Sequence, residues 1–80
     1  MSGLPHPVDV VLGQHLRALR EAQNLSMQEL ADRCRISAQQ MMKYETGANR
    51  VSFSRLVEIA VALHLPLQQL LPPSLLGDAG

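Results

Sequence analysis

Residues able to do chemistry are few in this chain of 80, and their spacing excludes most kinds of it. His6, His15 and His64 are too scattered along the sequence to form a local metal-binding motif, and Cys34 is the only cysteine. That excludes a disulfide framework and every Cys-based zinc pattern. No Ser/His/Asp arrangement, glycine-rich phosphate loop or carboxylate pair appears, so no catalytic residue is assigned, and no metal or cofactor is expected. One segment stands apart. On the helical period, Ala38, Gln39, Gln40, Met42 and Lys43 fall on one outward face, while Met41 and Tyr44 fall on the other. That outward face is polar and long-armed with one positive charge. It lacks the acid–base alternation of a merely solvated helix, although Gln39, Gln40 and Lys43 taken singly also suit an ordinary wet surface.

The elements that must hold this face are helices. Val8, Val11, Leu12, Leu16 and Leu19 recur at three- and four-residue steps after His6-Pro7, a cap and first turn. Asp9 complements the start of that helix and Arg17 and Arg20 its end, and Gln23-Asn24 closes it. Ser26-Met27-Gln28-Glu29 reads as a capping box opening a short second helix with Leu30, Ala31 and Cys34 inward. Cys34 thus reads as a core thiol. After Arg35-Ile36, Ser37 caps a third helix reaching about Thr46, and Gly47 stops it. Ser52 or Ser54 opens a fourth helix carrying Leu56, Ile59, Ala60 and Leu63. A fifth short helix runs from Pro66 through Leu67, Leu70 and Leu71 to Pro72-Pro73. No segment alternates with period two. The fold expected is therefore all-α, with five helices and a helix-turn-helix at the second and third. Its divisions are an N-terminal arm over 1–7, a domain over 8–72 and an apolar tail over 73–80.

Composition agrees with one small aliphatic domain. Apolar residues make up 46%, Tyr44 and Phe53 are the only aromatics, and seven basic residues balance seven acidic ones. Distribution says more than balance: every basic residue lies between Arg17 and Arg55, and that span carries a net charge of +3. No basic n-region, signal peptide or membrane-length apolar run is present, so a cytoplasmic location is expected.

Several stretches in order carry a resemblance: Leu12-Gly13-Gln14-His15-Leu16-Arg17, Leu25-Ser26-Met27-Gln28-Glu29-Leu30-Ala31, Lys43-Tyr44-Glu45-Thr46-Gly47, Leu56-Val57-Glu58-Ile59-Ala60 and Ala62-Leu63-His64-Leu65-Pro66. Residues 10–71 resemble the DNA-binding domain of the phage-repressor and Cro-like, or xenobiotic-response-element, family. Gln39 to Glu45 with Asn49-Arg50-Val51 resembles a branch common in alphaproteobacterial regulators. The resemblance implies a sequence-specific transcriptional regulator and not an enzyme, with double-stranded DNA as partner.

It also implies roles. The third helix is the reading helix of the major groove, with Gln39 and Lys43 at base-reading positions and Ala38, Gln40 and Met42 beside them. Such side chains suit the task, since glutamine pairs with an adenine edge, lysine reaches guanine acceptors and an apolar group packs on a thymine methyl. Met27 and Gln28 lend their amides to a phosphate. Asn49 and Arg50 hold the backbone on the far side. Arg20 and Glu45 occupy the positions of a buried ion pair. Arg35 stands where the family usually has glycine, so either it adopts left-handed backbone, at about 1–2 kcal/mol, or the turn differs.

A homodimer on a two-fold operator is expected, its interface formed by Leu67, Leu70, Leu71, Leu75 and Leu76, more leucine than so small a core needs. A second reading, a protein-interaction module such as an antitoxin or adaptor, would use that same apolar surface for a partner protein.

Overall fold

The structure is a computed structural model that describes residues 4–75. Among these residues there is no strand. Four α-helices follow one another: α1 (Pro7–Ala22), α2 (Met27–Cys34), α3 (Ala38–Thr46) and α4 (Phe53–Leu63). The expected fifth helix is instead a 3-10 turn over Leu67–Leu70, with a second such turn at Pro73–Leu75. Chain length explains the correction. Pro66 and Pro72 leave only five residues between them, too few to close an α-helical ladder, and the segment settles on three-residue bonds. The Gln69 amide donates to the Pro66 carbonyl at 3.0 Å and the Leu71 amide to that of Gln68 at 3.2 Å.

Each α-helix begins on a side chain that satisfies an otherwise orphan amide. His6 Nδ1 accepts from the Val8 amide at 3.1 Å, with Pro7 at the first helical position. Ser26 and Glu29 complete a reciprocal box: Ser26 Oγ accepts the Glu29 amide at 3.0 Å, and the Glu29 carboxylate accepts the Ser26 amide at 2.8 Å. Ser37 and Ser52 cap α3 and α4 in the same sense, so α4 starts at the earlier of its two candidate serines.

Helix ends share one device. Asn24, Arg35 and His64 all have φ near +58° to +59°. In each case the next residue, Leu25, Ile36 or Leu65, donates its amide back to the carbonyl five residues earlier and packs on the core. This is a Schellman closure with its apolar partner. The satisfied carbonyls and buried apolar contact offset the left-handed cost that Arg35 and His64 carry. Gly47 ends α3 at φ +81°, where a Cβ would lie 2.8–2.9 Å from Val10 of α1, so this position has both a conformational and a steric reason for glycine.

The core is aliphatic. Leu16, Leu30, Met41, Ile59, Leu63 and Leu70 have no exposure, and one side chain from each helix, or two, meets there. Gly13 lets α1 and α3 approach until a Cβ would strike the Tyr44 and Glu45 carbonyls. Ala31 is small and fully buried where α2 meets the rest. Leu70 fills the core floor below the 3-10 turn. Of the leucines expected at a subunit interface, this one has no exposure, because the thin core of an 80-residue chain needs it for itself. Leu67 and Leu71 are half-buried against the same core, Leu75 is exposed, and Leu76 lies outside the described residues.

Candidate nucleic-acid interface

Packing decides which side of α3 is available. Met41, Tyr44 and Glu45 face inward and are buried. Gln39, Met42 and Lys43 face outward and are exposed, whereas Gln40 is half-covered and Ala38 is half-covered and packs on the core. The outward face thus presents an amide, a thioether and an ammonium side by side, in a helix held at both ends. Such a helix is narrow enough for the ~12 Å major groove of B-form DNA, and these groups match base-edge acceptors, donors and methyls.

What fixes the helix is the pair Arg20–Glu45. Arg20 Nε donates to Glu45 Oε2 at 2.7 Å and Nη2 to Oε1 at 3.1 Å, a two-pronged geometry that holds α3 to α1. The third prong, Nη1, donates to the Leu25 carbonyl at 2.6 Å and secures the entry to α2. Both side chains are almost fully buried. Hydrogen bonding to Glu45 raises the Arg20 pKa above its ordinary value, against the lowering effect of burial. The guanidinium is therefore charged at every accessible pH.

The residues expected to contact phosphates lie at the start of α2 and in the loop after α3. At the start of α2, the box consumes the Ser26 and Glu29 amides, so Met27 and Gln28 carry the amides left at the tip. The Met27 side chain packs on the core, and the Gln28 amide group donates to Asp32 Oδ1 at 2.7 Å within its own helix. What these two residues can offer an anion is thus main-chain N–H. Beyond α3, the Asn49 amide donates to the Lys43 carbonyl at 3.1 Å and folds the loop back on the last turn. Arg50 does not point freely into solvent. Its Nε donates to both oxygens of Asp9, at 3.3 and 3.2 Å.

Sequence reasoning missed this pair, since 41 residues separate its members and no periodicity joins them. It also passed over a second stripe on α4. Phe53, Val57 and Val61 stand at four-residue intervals on the face away from the core, and Phe53 and Val61 are 71% and 68% exposed. That stripe was legible in principle, because the spacing repeats, but the core-facing Leu56, Ile59, Ala60 and Leu63 already account for the helix. Cys34 is buried, and burial raises its pKa above the ordinary thiol value, so it is an unreactive core group. Among the described residues no cluster of His, Cys, Asp and Glu could hold a metal ion, and no helix is long and apolar enough to cross a membrane.

Comparison with known proteins agrees with this geometry. The helix-turn-helix domain family matches residues 11–72. A transcriptional regulator in the ATPase CF(0) region of Rhodospirillum rubrum is 48% identical over 62 residues, which are 78% of this chain and 57% of that protein. An HTH-type transcriptional regulator of Sinorhizobium medicae is 38% identical over 63 residues, covering 79% of this chain and 45% of its own length. The chain spans about half the length of the curated relatives it matches. Among solved structures, the restriction-modification controller protein C.AhdI from Aeromonas hydrophila superposes with a TM-score of 0.74 at 33% identity, over 76% of this chain and 92% of that one. The DNA-binding domain of BldD superposes with a TM-score of 0.76 at 35% identity, over 90% of this chain and all of that one. By its match over residues 11–72, the chain belongs to the helix-turn-helix domain family, in its phage-repressor and Cro-like form.

Proposed function

We propose that the protein regulates transcription by placing α3 in the major groove of duplex DNA and reading base edges with Gln39, Met42 and Lys43. One observation carries this reading: α3 is locked from behind by the buried Arg20–Glu45 pair while its polar, cationic face stays open. Ala38 and Gln40 line the edge of that face. The Met27 and Gln28 amides on one flank and Asn49 and Arg50 on the other supply phosphate contacts, which set register without reading sequence. The protein acts as a homodimer on a two-fold related operator with half-sites about one helical turn apart. Leu67, Leu71 and Leu75 supply its apolar contact; Leu76, also expected there, lies outside the described residues. Being a DNA-binding protein without a membrane-length helix among its described residues, it works where the chromosome is, in the cytoplasm. Base reading of this kind requires no cofactor.

Selection of bound duplexes from a random pool tests the proposal. Enrichment of a palindromic consensus supports a dimeric sequence reader. No enrichment at low salt, where backbone attraction is strongest, discards it.

A second reading, partner-protein binding, draws support from the α4 stripe rather than from the tail. Phe53, Val57 and Val61 are apolar, exposed and on a different helix from the reading face. A protein can therefore dock there without displacing DNA from α3.

A further inference from the structure

Asp9 has no part in the reading of α3 just given, yet it is placed where it controls one of the phosphate-contacting side chains. It occupies the first turn of α1, and its side chain is only 13% exposed, whereas that of Arg50 is 71% exposed. Both carboxylate oxygens converge on one donor, Arg50 Nε. A guanidinium has five N–H donors in a rigid plane. Asp9 is bonded through Nε alone, so the two Nη groups, with four of those donors, make no hydrogen bond to it. The loop carrying Arg50 is itself fixed, because the neighbouring Asn49 amide is bonded to the Lys43 carbonyl on the last turn of α3. Gly47 begins the same loop against Val10, one residue along α1 from Asp9. An exposed ion pair of this kind adds little to folding stability. Its effect is to remove rotamer freedom from a long side chain that would otherwise lose that freedom on binding.

We infer that Asp9 is a positioning residue for DNA binding: it clamps Arg50 by Nε so that the free Nη edge meets a backbone phosphate beside the groove that α3 enters. This role rests on the DNA-binding reading. The sign of the effect separates positioning from bare charge. A carboxylate near the DNA backbone repels phosphate, so by charge alone its removal tightens binding. If Asp9 positions Arg50, its removal weakens binding.

The test uses the full chain and a duplex that the wild type selects. Affinity is measured across a salt series for wild type, Asp9→Asn, Arg50→Gln, Arg50→Lys and the Asp9→Asn/Arg50→Gln pair. Circular dichroism confirms that each variant is folded. The expected result for Asp9→Asn is an affinity loss of about tenfold, on the scale of one charge-assisted hydrogen bond. The magnitude of the salt slope falls by about 0.9 for each phosphate that is no longer neutralised. Arg50→Lys keeps the charge but not the planar fork, so it is expected to retain most of the wild-type salt slope while binding more weakly than wild type. In the Arg50→Gln background, Asp9→Asn has no further weakening effect. Unchanged or tighter binding by Asp9→Asn overturns the inference and leaves DNA binding standing. A wild type that binds no duplex overturns the DNA-binding reading, and the inference with it.

Discussion

At the scale of single residues, the buried pair Arg20–Glu45 illustrates how position outweighs chemical type. An exposed arginine–glutamate pair is worth little, and Arg17–Glu21, one turn apart on the surface of α1, is of that kind. Inside, neither charge can be left alone. Arg20→Ala strands the Glu45 carboxylate in the core, so denaturant titration is expected to show a loss of about 3–5 kcal/mol. Against a typical total of about 5–15 kcal/mol, that is a large fraction of the stability. Replacing both partners with apolar residues of similar volume, as in Arg20→Met/Glu45→Leu, is expected to recover most of the loss, because no charge is then stranded. Equal destabilisation by the single and the double variant would show that the pair contributes geometry that packing cannot replace. Sequence alone paired these two positions only through the family resemblance. No local pattern links residues 25 positions apart, and their burial is decided by which helices meet.

Among the elements, the helix starts were the most legible features, because a serine followed three residues on by glutamate, or placed before an apolar run, acts locally. Ser26, Ser37 and Ser52 each cap as their surroundings require. The end of the chain was less legible. Apolar spacing from Leu67 to Leu71 matches a helix, but the bracketing prolines deny it the length, and the outcome is a 3-10 turn whose Leu70 closes the core. An excess of leucine suggests an outward surface, yet the fold turns Leu70 inward. Burial in so short a segment depends on where the turn aims it, not on periodicity. Arg35 makes a quantitative prediction at this scale. Its left-handed backbone costs about 1–2 kcal/mol relative to a residue without Cβ, while glycine frees the unfolded chain by about 0.4–1 kcal/mol. Arg35→Gly is therefore expected to stabilise the protein by about 0.5–1 kcal/mol, raising Tm by several degrees. A lowered Tm would mean that the arginine side chain contributes more there than its backbone costs.

For the whole molecule, a neutral chain with its cations gathered between Arg17 and Arg55 is built for oriented rather than indiscriminate attraction to a polyanion. In the proposed reading a single short helix offers few base contacts, so affinity and specificity would depend on two copies acting together. Changing Leu75 and Leu76 to serine is expected to move the protein towards monomer in sedimentation velocity at micromolar concentration. A sedimentation profile unchanged by the substitution would assign any self-association to another surface, with the exposed Phe53, Val57 and Val61 stripe as a candidate. Base reading by α3 is probed without intermediary by the affinity of Gln39→Ala and Lys43→Ala for the selected operator and for each of its single-base variants. Each substitution is expected to cost about 1–3 kcal/mol on the operator and to relax discrimination at one base position, leaving nonspecific binding nearly intact for Gln39→Ala. Full discrimination retained by both variants would contradict that expectation, and would move base reading away from the open face of α3.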